Sequence, residues 1–181
     1  MLKFNYLNLK NNAGQPNAIN EEVVLSPAFF KRSVAILQQA KNVHVVGELV
    51  YLEPFVSGTF HVVADLVVPS SRSLAPVAYH ENFSFAEDYA DHEPTKEEAD
   101  EHEQLIVQIH EGVIDVQRAV EDNLLLHIPT TILTPEEAQN DIYPSGKGWK
   151  VVSEAKDKDK PAKGNPAFKK LEALFKNQPA D

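Results

Sequence analysis

Three β-branched runs dominate the middle of this chain and limit what it can fold into. Val43–Leu52, Phe55–Val68 and Ala75–Phe85 each alternate apolar and polar residues over the lengths typical of strands. The first two are separated only by Glu53-Pro54, short enough for a hairpin, and the polar turn Ser70-Ser71-Arg72-Ser73 separates the second from the third. Three consecutive antiparallel strands need one face covered to be stable, so helices are expected on that face. The pattern predicts an α+β fold, with an antiparallel, partly curled sheet carrying helices.

The flanks supply those helices. Ser26-Pro27 is a helix start, a hydroxyl at the cap followed by proline at the first helical position, with Phe30, Val34 and Leu37 behind it at helical spacing. Asp115 can cap a second helix, whose inner face would be Val116, Ala119, Val120, Asn123 and Leu124. Pro129 ends it. Met1–Leu9 alternates as an opening strand, and Lys10–Ile19, with its Asn, Gly and Pro, reads as a loop. Leu105–Ile109 is a short strand, Thr130–Leu133 a last strand or extended segment, and Thr134-Pro135-Glu136-Glu137 one capped helical turn. Ser145–Trp149 is a turn-rich loop.

Charge divides the chain. Of 181 residues, 27 are acidic and 17 basic, for a net charge of -10, yet nine of those basic residues fall between Lys147 and Lys176. The acidic remainder argues against nucleic-acid binding by the whole surface. About residues 87–103, Asp and Glu dominate, and the stretch reads as a solvated, mobile loop holding Glu97, Glu98, Asp100, Glu101 and Glu103. Residues 1–152 then form one domain and 153–164, rich in Lys and Asp, a linker. Residues 165–181 form a basic C-terminal helix bearing Lys169 and Lys170, with Phe168, Leu171 and Phe175 on its other side.

Little in this sequence points to catalysis. Without cysteine there is no disulfide, thiolate metal site or cysteine nucleophile. The serines lack a nucleophile elbow and read as turn hydroxyls bonding nearby backbone. His92, His102 and His110 beside many carboxylates fit no zinc or calcium spacing, so no metal or cofactor is expected. No apolar run approaches the ~18–20 residues needed to span a bilayer, and no secretory signal is visible, which makes the cytoplasm the default location. Arg72, one of three arginines, sits where its planar fork can meet a phosphate or a carboxylate, or form a structural ion pair.

Several stretches taken together resemble the YceD family of large ribosomal RNA subunit accumulation proteins. They are Val-Val-Pro-Ser-Ser-Arg-Ser-Leu-Ala-Pro-Val, the helix Val113–Pro129, Gly-Lys-Gly-Trp149, and the Asn-Pro-x-Phe-x-Lys-Leu tail. The resemblance runs from about Val43 to the C-terminus. It marks Arg72, Leu74, Pro76, Asp115, Glu121, Pro129 and Trp149 as motif positions. Where family members can carry cysteines, this chain has Ser70 and Ser73, which speaks against a metal or redox role for the turn. What the resemblance implies is a non-enzymatic part in accumulation of 23S ribosomal RNA and assembly of the large subunit. The partners expected are precursor rRNA, a large-subunit ribosomal protein, or both. Arg72, Ser70, Ser73, Lys147, Lys169 and Lys170 would meet phosphates, and the acidic run a basic protein. An rRNA-processing nuclease using carboxylates and a divalent ion, and an adaptor that never touches RNA, are the competing readings.

Overall fold

The computed structural model of the protein describes residues 2–102, 104–140 and 143–151. The chain divides into two compact units, Met1–Pro135 and Glu136–Asp181. The first is built on a five-stranded sheet whose strands follow one another in chain order. These are β2 (Asn17–Glu22), β3 (Gln39–Leu52), β4 (Phe55–Pro69), β5 (Pro76–Ala90) and β6 (Leu105–Gln108).

The expected hairpins form. Leu52 faces Phe55 across the first turn, and Pro69 faces Pro76 across the second. Register then sorts the side chains by parity. Val56, Phe60, Val62, Ala64, Leu66 and Val68 of β4 are buried, while Thr59, His61 and Asp65 between them are exposed. Cross-strand pairing carries that division into β3, where Val45, Leu49 and Tyr51 are buried, and into β5, where Phe83 and Tyr89 are.

Helices cover the buried face, as the strand pattern requires. Helix α2 (Pro27–Ser33) starts where predicted, with the Ser26 hydroxyl accepting from the Phe29 N–H. Helix α4 (Val116–His127) starts at Asp115, whose side chain accepts from the Arg118 N–H. Its buried residues are Val116, Ala119, Val120, Glu121 and Leu124. Glu121 thus joins the inner face, and Asn123 is only half-buried. The Glu121 carboxylate accepts from the Ser26 N–H at 2.7 Å and from the Ser26 hydroxyl at 3.0 Å. One acidic side chain of α4 therefore anchors the start of α2.

The N-terminus departs from expectation. Only Lys3–Asn5 is strand (β1), pairing with β7 (Val113–Asp115) as a separate two-stranded sheet. Tyr6–Asn11 is helix α1, because the Asn5 side chain accepts from the Asn8 N–H and so caps a helix. Tyr6 and Leu9 of α1 are buried, and the Tyr6 ring meets Tyr51 edge-on with centroids 6.0 Å apart. The predicted loop over Lys10–Ile19 is shorter than expected, since β2 begins at Asn17. In this edge strand only Ile19 is buried, which explains why its sequence looked like a loop.

The acidic stretch also begins differently. Glu87–Ala90 complete β5, and Glu87 and Asp88 are buried rather than solvated. Each carboxylate has at least one partner distant in sequence. Glu87 accepts from the Tyr89 hydroxyl at 3.0 Å and from the Asn123 amide at 2.7 Å. Asp88 accepts from the Ser57 hydroxyl at 2.6 Å and lies 3.3 Å from His102. Beyond Ala90 comes helix α3 (Lys96–Glu101), closed by a capping box between Thr95 and Glu98. The chain then returns as β6, which runs parallel to β5, so the sheet is mixed rather than wholly antiparallel.

Thr130–Leu133 forms no strand. Pro135–Gln139 is helix α5. Ser145–Gly146 (β8) and Trp149–Lys150 (β9) pair as a small hairpin where a loop was expected. The linker and C-terminal helix expected over 153–181 lie outside the described residues.

Candidate interaction surfaces

The turn between β4 and β5 is built around Ser70, which is fully buried. Its N–H donates to the Ala75 carbonyl at 2.8 Å, and its carbonyl accepts from the Leu74 N–H at 3.1 Å. The Ser70 hydroxyl accepts from the Arg72 N–H at 3.1 Å and, at the 3.5 Å limit, from the Ser73 N–H. Ser73 in turn receives the Ala75 N–H at 3.3 Å. The two serines at the family's cysteine positions therefore hold the turn by hydroxyl-to-backbone bonds. Such bonds are what serine supplies in turns.

This framework forces Leu74 into the left-handed region, at φ 62, with its side chain 71% exposed. That conformation costs a branched side chain roughly 1–2 kcal/mol. Arg72 is half-buried, and Ser73 and Pro76 are exposed.

Ser71, read from sequence only as a turn hydroxyl, ties the turn to the segment after α4. Its N–H donates to the Ile132 carbonyl at 2.8 Å, and its hydroxyl accepts from the Ile132 N–H at 2.9 Å. The hydroxyl also lies 3.2 Å from the Thr130 carbonyl. The Arg72 motif and the Pro129 motif are thereby brought together. Asp115 and Glu121 do other work: the first caps α4 and pairs with Lys3 at 3.1 Å, and the second anchors Ser26. In the second unit Lys147 and Trp149 are both exposed, at the turn and on the second strand of the β8–β9 hairpin.

The acidic segment carries a helix and side-chain contacts where a loop was expected. Phe55 is buried between two histidines, stacked on His92 at 6.3 Å and edge-on to His102 at 4.7 Å. His92 also reaches Glu98 at 3.1 Å and Asp91 at 3.4 Å. These bonds, that from Glu98 first, hold its imidazole above the usual histidine value. The Thr95 N–H and then His92 hold Glu98 below the usual carboxylate value. Glu98 is thus committed to its own helix, whereas Glu97 and Asp100 are exposed. Glu101 ends α3, and Glu103, Lys169 and Lys170 lie outside the described residues. Among the described residues no three His, Asp or Glu side chains are grouped to hold a metal ion, and no helix is long and apolar enough to cross a membrane.

Residues 58–175 match the family model described as large ribosomal RNA subunit accumulation protein YceD. A protein of Bacillus subtilis (strain 168), described as uncharacterized protein YlbN, is 28% identical over 141 residues, covering 77% of this chain and 78% of its own. No solved structure gives a significant match.

Proposed function

Since this chain belongs to the YceD family of large ribosomal RNA subunit accumulation proteins, we propose that it promotes accumulation of 23S rRNA by binding during large-subunit assembly in the cytoplasm, without catalysing a reaction. The observation that carries this reading is the serine-braced turn, which holds Leu74 strained and outward beside Arg72. A turn built this way supplies shape and charge, and its hydroxyls are occupied with backbone. Arg72 and Lys147 offer charge for phosphates, the term that dominates affinity for RNA. Glu97 and Asp100 form the complementary acidic surface, suited to shielding a basic ribosomal protein before it meets RNA.

Ultraviolet crosslinking in living cells, followed by sequencing of the attached RNA, tests the proposal. Crosslinks concentrated on 23S precursor, and reduced in an Arg72→Ala, Lys147→Ala double variant, are the expected result. A profile equal to that of uncrosslinked cells would overturn RNA contact. The protein-binding half is tested separately, by pull-down of large-subunit proteins at moderate salt. It fails if Glu97→Gln with Asp100→Asn leaves recovery unchanged.

A further inference from the structure

A cleft of ≈ 570 Å3 separates the outer side of α4 from β6. The β5–β6 register places Leu105 beside Glu87 and Val107 beside Tyr89, so these four share the sheet face that α4 covers only in part. Leu105 and Leu126, on opposite walls, are 66% and 79% exposed. The lining also carries four carboxylates, Glu87, Glu111, Asp115 and Asp122, against two formal cations. Asp115 is already paired with Lys3 at 3.1 Å, and Asp122 with both Arg118 at 3.7 Å and Arg32, which leaves Glu87 and Glu111 as the lining carboxylates with no salt bridge among the described residues.

Glu87 is the centre of this site. It is 7% exposed and receives one bond on each oxygen, from Tyr89 and from Asn123. A carboxylate has about four lone-pair positions, so acceptor capacity remains inside the cleft. Both donors are neutral, and a buried carboxylate gains most from a cation that shares its desolvated site.

We infer that this cleft docks a basic protein segment, with one arginine or lysine reaching Glu87 and its aliphatic stem lying between Leu105 and Leu126. Long cationic side chains combine an apolar stem with a charged head, which matches leucine walls over an acidic floor. The inference rests on the reading that a basic protein is a partner, and it adds to the acidic surface of α3 a second place, between α4 and β6, where that partner's chain is held.

The test uses the full chain and a fluorescein-labelled, amidated decapeptide of alternating arginine and leucine, followed by fluorescence anisotropy. The same peptide with citrulline for arginine should bind about tenfold more weakly or worse, as loss of a buried charge partner predicts. Glu87→Gln should weaken binding of the arginine peptide by about tenfold. Leu126→Ser, a surface change that spares the fold, should weaken it by about threefold through lost apolar contact. Binding that survives both cleft variants but is lost with Glu97→Gln, Asp100→Asn would overturn the cleft and leave a basic partner in place. Equal binding of the citrulline peptide, or no binding to the unaltered protein, would also overturn the cleft. The pull-down described above then decides the basic-partner reading independently.

Discussion

Ser26 and Glu121 lie 95 residues apart, yet the carboxylate of one accepts both the N–H and the hydroxyl of the other. Glu121 is 6% exposed, so its removal leaves Ser26 donors without their acceptor inside the fold. Glu121→Ala should destabilise the protein by about 2–4 kcal/mol, and Glu121→Gln by less, since the amide oxygen still accepts. Urea denaturation of the three proteins measures both differences. Equal stability of all three would show that the bond contributes nothing.

Two glycines permit the Phe60 ring to lie where it does. A Cβ on Gly58 would come within 2.6 Å of that ring, and a Cβ on Gly47 within 2.8 Å of it and closer still to the Thr59 carbonyl. Gly58→Ala and Gly47→Ala should each cost about 1–3 kcal/mol by overpacking. Adding Phe60→Leu should recover part of the loss at Gly58, where the obstacles are side chains. It should recover little at Gly47, where the backbone itself obstructs. Double-mutant cycles in denaturant would read the contrast.

Leu74 offers a case in which stability and function should move in opposite directions. Leu74→Gly relieves the left-handed strain and should stabilise the protein by about 0.5–1 kcal/mol. It also deletes the exposed side chain and should reduce recovery of large-subunit components. Thermal denaturation and crosslinking on the same variant check both halves. A variant more stable and fully active would remove Leu74 from the contact surface.

Helix α3 should hold best over a limited range of pH. His92 is raised above its ordinary 6.5, so its contribution is complete below that value and is lost as pH rises through the raised one. Glu98 is lowered below its ordinary 4.5, so its contribution is present above that value and is lost as pH falls through the lowered one. Amide exchange in Lys96–Glu101, corrected for intrinsic pH dependence, should be slowest between the two. His92→Gln should abolish the loss on the alkaline side and leave the acid side in place.

Much of this fold was legible because β3, β4 and β5 alternate over most of their length and the starts of α2 and α4 carry proper caps. What escaped reading depends on partners far along the chain. Glu87 and Asp88 looked solvated because carboxylates usually are, and only Asn123, Ser57 and His102, brought near by folding, make their burial tolerable. Helix α1 was missed because Tyr6 and Leu9 also suit a strand, and a single Asn5 cap decided the matter locally. Edge strand β2 needs one buried residue, too weak a pattern to stand out. At the candidate surface the turn was visible from its serines and arginine. Leu74's backbone and the link from Ser71 to Ile132 exist only in three dimensions.

The pairing of Lys3 with Asp115 has a consequence for a chain made from its N-terminus. The antiparallel pairs β2–β3, β3–β4 and β4–β5 join near neighbours and can close as soon as each returning strand has been synthesised. β1 cannot: its partner strand is translated more than a hundred residues later. β1 is therefore made before the five-stranded sheet yet is among the last elements to settle, and the two-stranded sheet acts as the clasp that completes the first unit.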